Sequence, residues 1–141
     1  MADHTTVAEL IEGLKGGPPG VRARCALDLG RRGIEGEEAR EVLAVLLVAV
    51  KDKDEQVRLN AVLAVSHIGP AAVPVLIEAL KDARWFVRND AAWTLGGIGP
   101  AAKDAILALL EALKDPDYFV REASASALDR IDPAAKDDRR R

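Results

Sequence analysis

The dipeptide Val-Arg occurs at Val21-Arg22, Val57-Arg58, Val87-Arg88 and Val120-Arg121, at steps of 36, 30 and 33 residues. A period of this size confines the chain to a row of similar supersecondary units, since one such unit cannot bury its apolar face alone. A second pattern keeps register with the first. Fourteen residues before each valine an apolar quartet begins, at relative positions 0, 3, 4 and 7: Val7/Leu10/Ile11/Leu14, Leu43/Leu46/Leu47/Val50, Val73/Leu76/Ile77/Leu80 and Ile106/Leu109/Leu110/Leu113. That spacing puts four apolar side chains on one face of a helix, and the constant offset predicts two helices per unit, a helical hairpin.

The punctuation between the helices agrees. Lys15, Lys51, Lys81 and Lys114 follow the quartets as a basic last turn that suits the helix dipole, and Asp52, Asp82 and Asp115 come next in three units. Asp54 and Asp117 are placed as N-caps of the second helices, whereas unit three has Arg84 there. Small residues four and five positions after the valine, Cys25/Ala26, Ala61/Val62, Ala91/Ala92 and Ser124/Ala125, let packed helices approach closely. Ile68-Gly69-Pro70, Ile98-Gly99-Pro100 and Ile131-Asp132-Pro133 close the last three units, with glycine expected in a left-handed cap and proline unable to continue the helix. Unit one departs, with Arg32-Gly33 and a longer linker to Glu38.

The second helices read close to V-R-x-x-A-A-x-A-L-G-x-I-G, and Val87 to Gly99 follows that pattern with only Thr94 in place of Ala. On these residues the chain resembles the HEAT-repeat family, in its short bacterial and phycobilisome-lyase type. The resemblance implies an all-α fold, a right-handed α/α superhelix of four hairpins forming a single domain over residues 1–141. The repeats are expected at 5–33, 37–70, 71–100 and 101–133, with 134–141 as a charged tail or the start of a further repeat. It identifies a fold rather than a function.

In a solenoid of paired helices the second helices line the concave side, the usual binding surface. The variable positions of the pattern, two and one before the valine and two, three, six and ten after it, are expected to face it. All five aromatic residues of the chain fall on those positions, although burial preference alone would send Phe and Trp inward. The expected core is therefore free of aromatics. The candidate partner-binding residues are Trp85, Phe86, Asn89, Asp90 and Trp93 in unit three, Tyr118, Phe119 and Glu122 in unit four, and Asn60, Leu63 and His67 in unit two. Aromatic anchors beside carboxylates suit a protein or peptide partner bearing Lys or Arg. For Phe86 and Phe119, which directly precede the core valine, packing between adjacent hairpins is the competing reading.

Other chemistries find little support. A net charge of −3 and pI near 5.4 disfavour a phosphate-backbone binder. Arg22, Arg58, Arg88 and Arg121 are expected to pair with the aspartates of neighbouring turns rather than with phosphate. His4 and His67 are the only histidines, with no His-Glu pair or His-x-x-x-His helix, so neither a metal nor another cofactor is expected. Cys25, the lone cysteine, occupies a packing position and reads as a buried inert thiol. No enzyme is expected. A lone cysteine and the lack of a leader or membrane span point to the cytoplasm.

The leading expectation is thus a non-catalytic protein- or peptide-binding scaffold, with self-association through terminal hairpins as a further partner class. The alternatives are a chromophore-binding subunit like the HEAT-containing phycobilin lyases, a nucleic-acid-binding module like the HEAT-like glycosylases, and an engineered binder. Irregular repeat steps and non-identical helices argue for a natural or diversified sequence over a copied consensus.

Overall fold

The computed structural model describes residues 5–135, so His4 and residues 136–141 of the tail expected at 134–141 lie outside the described residues. Among the described residues all regular structure is helical. The chain divides into two compact units between Ile68 and Gly69. The first holds α1 (Val7–Gly16), α2 (Pro19–Arg31), α3 (Gly36–Ala49) and α4 (Glu55–Ile68). The second holds α5 (Val73–Ala79), α6 (Trp85–Ile98), α7 (Ile106–Ala112) and α8 (Tyr118–Ile131), with 3-10 turns at Pro70–Ala72, Gly99–Ala105 and Pro133–Ala135. Each unit is two hairpins, and each Val-Arg lies in the first turn of a second helix.

Within each unit the second helices pack closely on each other, α2 on α4 and α6 on α8. Small residues permit this. A Cβ built on Gly30 would lie 2.7 Å from both Cα and Cβ of Ala64, and one on Gly96 would lie 3.0 Å from the Ala127 Cα. Both glycines stand nine residues after their valine, and both alanines seven after theirs. The core is aliphatic: Leu29, Leu46, Val57 and Val65 fill the first unit, and Leu76, Val87, Leu95, Leu109, Val120 and Leu128 the second.

The turn aspartates tie consecutive hairpins together. In the first unit Arg22 donates from Nε and Nη2 to the Asp52 carboxylate at 2.9 and 3.0 Å. Arg88 grips Asp115 in the same fork at 2.8 and 3.0 Å in the second. Each arginine also donates to a carbonyl of the turn within its own hairpin, Arg22 to Gly17 and Arg88 to Asp82 and Ala83. Arg58 and Arg121 bind the turn carbonyls of Asp52 and Lys53 and of Asp115 and Pro116. The aspartates meanwhile accept the backbone amides two residues on, those of Asp54 and Asp117. Asp54 and Asp117 cap α4 and α8 by accepting from Val57 and Val120, as expected from sequence, and Thr6 caps α1 by accepting from Glu9.

Hydrogen bonding from Arg22 holds the Asp52 carboxyl below the ordinary carboxylate range. For Asp115 burial works in the opposite direction, but the bonds from Arg88 and from the Asp117 amide, with the nearby positive charge, outweigh it and leave that carboxyl lowered as well. Burial pushes the Cys25 thiol up, with the charge of Asp28 adding to it, in keeping with an inert packing residue.

The helix pattern itself departs from the expectations in four places. Val21 is 44% exposed, unlike Val57, Val87 and Val120, because it rests on Gly13 and Gly17, which have no side chains to cover it. Leu110, the third member of its quartet, is exposed, since the fourth quartet turns only its Leu109 fully inward. Lys51, Lys81 and Lys114 fall just past their helix ends, in the turn itself. Gly69 and Gly99 have the positive φ expected of a cap, 84° and 78°, but ψ of −135° and −148°, an extended conformation open essentially to glycine alone.

The Ser124 hydroxyl is fully buried and, among the described residues, has no hydrogen-bond partner. Its position carries Cys25, Ala61 and Ala91 in the other hairpins. Ser124→Ala is expected to stabilise the protein by about 1 kcal/mol, because it removes an uncompensated polar group without opening a large void. Urea unfolding should show a raised midpoint with an unchanged slope.

Candidate protein-binding face

The first residues of α6 and α8 carry the aromatic side chains together. Trp85 and Phe86 open α6, and Tyr118 and Phe119 open α8, so the side-by-side packing of these helices brings the four rings into contact. Ring centroids lie 6.1 Å apart for Phe86 and Trp85, 5.8 Å for Trp85 and Phe119, and 5.6 Å for Phe119 and Tyr118. They form one row, Phe86–Trp85–Phe119–Tyr118, across the two helix starts. Spacings of 4.5–7 Å are those at which aromatic pairs attract each other. The row is therefore pre-ordered.

The row is also open to solvent. Trp85 is 46% exposed and Tyr118 and Phe119 are each 58% exposed. Phe86 is half-buried and carries the Arg84 guanidinium 5.9 Å from its ring centre. Of the two phenylalanines, then, only Phe86 is drawn inward. Arg121 sits 5.8 Å from the Tyr118 ring at the other end.

Trp93 stands apart from the row. It lies eight residues after Trp85, about 12 Å along the helix at 1.5 Å per residue, and is 45% exposed. Its neighbour is Arg130 of α8, whose guanidinium is 5.9 Å from the ring centre. The residues expected to make one patch thus make two features on the same pair of helices. Asn89 and Asp90 lie between them, half-buried, and the Asp90 carbonyl accepts from the Thr94 hydroxyl at 2.6 Å. Glu122 is exposed on α8.

In the first unit Leu63 and His67 are exposed on α4, but Asn60 is not available. It is 8% exposed, and its amide donates to the Ala23 carbonyl at 2.7 Å and accepts from Gln56 at 2.8 Å. Asn60 therefore joins α4 to α2 and corrects its assignment to the presented face. Among the described residues no group of three or more His, Cys, Asp or Glu side chains could hold a metal ion, and no single helix is long and apolar enough to cross a membrane.

Family comparison agrees with this architecture. The HEAT-repeat family matches residues 7–96 and 73–139, and the chain belongs to that family. No curated protein matches it. Among solved structures it is similar to an engineered protein from a structural genomics consortium, at 21% identity and TM-score 0.56, covering 89% of this chain and 62% of the other. It is similar to a designed armadillo repeat protein in complex with the peptide (KR)4, at 18% identity and TM-score 0.57, with 89% and 64% covered. A third likeness is to the complex of CpcE and CpcF of phycocyanin lyase from Nostoc sp. PCC7120, at 20% identity and TM-score 0.52, with 94% and 67% covered. The chain spans less than two thirds of the length of the first two. At these identities the likeness is one of fold: an all-α helical repeat of the solenoid class.

Proposed function

We propose that this HEAT-repeat protein is a non-catalytic scaffold that binds a protein or peptide on the second helices of its third and fourth hairpins. One observation carries the reading: four contacting rings, three of them about half exposed, at the starts of α6 and α8. Solvent-exposed aromatic rows are rare on surfaces without a partner, since each ring forgoes a burial worth roughly 1.5–3 kcal/mol. A partner recovers it. Rings already held by one another also lose little freedom on binding, which favours affinity.

Glu122, exposed on α8, offers a carboxylate to a partner's Lys or Arg, whose cation could also face Trp85. This face is the one that solenoids of this family turn toward their ligands.

The test is an affinity pulldown with the wild type and with Trp85→Ala and Trp93→Ala. Each variant is expected to lose its captured partner by about 30-fold, the equivalent of a 2 kcal/mol hot spot. Far-UV circular dichroism should not change. A variant that captures the same partner at full strength would remove its tryptophan from the site, and one that melts the helices would make that tryptophan structural. Loss of binding in 0.5 M salt should accompany a basic partner.

A further inference from the structure

The first unit has a recess of its own. Between α2 and α4 a cavity of about 270 Å³ is lined by Leu27, Gly30, Arg31, Leu63, Ala64 and His67. It exists because Gly30 and Ala64 bring the two helices together with no side chains above the contact, leaving a floor flanked by Leu27 and Leu63. Leu63 is 60% exposed, and Leu59, one turn earlier on α4, is also exposed. The recess is below the usual 300–1,000 Å³ of small-molecule sites, so it suits one or two side chains of a polypeptide.

Its charge differs from that of the aromatic face. Arg24 and Arg31 are both exposed on α2, seven residues apart and hence on one side of the helix. Among the described residues neither has a carboxylate within ion-pairing distance. The arginines that do structural work here, Arg22 and Arg58, are all committed to the turns, so Arg24 and Arg31 do not serve the fold in that way. Glu35 borders the adjoining cavity beside His67 and closes that end to a negative group. Glu55 lies at the far end of α4, about 18 Å away at 1.5 Å per residue.

We propose that this recess is a second docking site, which takes an aliphatic side chain from an acidic peptide segment whose carboxylates pair with Arg31 and Arg24. Two unpaired guanidiniums beside an apolar floor match a helical segment in which Leu or Ile is flanked by Glu, and guanidinium binds carboxylate in a bidentate fork. A basic segment meets these two like charges instead, only partly offset by Asp28, which lies between them on the same side of α2. The site shares no residue with the aromatic row and stands or falls separately from it.

The experiment is a fluorescence anisotropy titration of the full chain at low salt. The probe is a labelled 14-residue helical peptide with Leu at i and i+4 and Glu on either side. Two analogues carry Gln in place of Glu, or Ser in place of Leu. The parent peptide is expected to bind at least 10-fold more tightly than either analogue. Arg31→Glu and Leu63→Ser should each weaken it at least 10-fold with unchanged circular dichroism, and Trp93→Ala should leave it unaltered. A Lys version of the peptide should gain affinity for Arg31→Glu, a charge-swap rescue that a folding defect cannot produce. The proposal is overturned if the Gln analogue binds as well as the parent, if Arg31→Glu changes nothing, or if only Trp93→Ala abolishes binding.

Discussion

Gly30→Leu is expected to destabilise the protein by more than about 3 kcal/mol. The added side chain starts from a Cβ only 2.7 Å from the Cα and Cβ of Ala64, so the α4 backbone itself must retreat. Overpacking of this kind costs roughly 1–3 kcal/mol even where side chains can adjust, and here a rigid helix is the obstacle. Leucine's better helix propensity returns only about 0.8 kcal/mol. Alanine scanning of the two glycines sharpens the claim. Gly30→Ala should still destabilise, because its Cβ meets backbone at 2.7 Å, whereas Gly96→Ala should be close to neutral. There the nearest atom is 3.0 Å away, and the propensity gain of about 1 kcal/mol offsets a small shift of α8. Urea unfolding of the three variants checks this; a stabilised Gly30→Ala would mean that α2 and α4 do not approach as described.

Asp115→Ala is expected to cost about 3 kcal/mol. The carboxylate receives two bonds from Arg88 and one from the Asp117 amide, so its loss strands a partly buried guanidinium and frees the turn before α8. Breaking one side of a buried pair is dearer than never having made it. Asp115→Asn should lose less, since its oxygen can still accept from the Asp117 amide. The same pairs set the response to acid. Asp52 and Asp115 are both lowered from the ordinary value of 3.8, so in the unfolded chain they bind protons at higher pH than in the folded one. Their contribution is complete above the unfolded value and fades as pH falls through the folded value. Stability should therefore be flat on this account at neutral pH and decline below about pH 4. Asp115→Ala should show a shallower acid decline, a comparison readable from thermal melts between pH 2 and 7. An equally steep decline would place the responsible carboxylates elsewhere.

Much of the fold was legible because repetition averages out local ambiguity. One Val-Arg pair says little, but four in register with an apolar quartet specify helix, turn and helix. The Arg22–Asp52 and Arg88–Asp115 pairs were readable for the same reason, as both partners recur at fixed places. Positions at the margin of a helical stripe were not. Two and three residues after the valine lie about 100° apart on the helix, and a small rotation decides which turns inward. The first hairpin buries Ala23 and opens Arg24; the second opens Leu59 and buries Asn60. Asn60 could be identified as structural only once the Ala23 carbonyl was seen 2.7 Å from its amide. The division of the aromatics into a row and a separate Trp93 was likewise hidden. It depends on which rings meet across α6 and α8, a tertiary fact that the period of either helix does not contain.

The aliphatic core has an optical consequence. Trp85, Phe86, Trp93, Tyr118 and Phe119 all belong to the unit beginning at Gly69, and residues 1–68 contain no aromatic side chain. Ultraviolet absorbance, intrinsic emission and near-ultraviolet dichroism therefore report on one half of the molecule, while the other half is spectroscopically dark. Amide dichroism sees both. Superimposed melting curves from emission and from the amide band would mean that the two halves unfold as one cooperative body, and an amide transition without an emission counterpart would reveal the dark half unfolding alone.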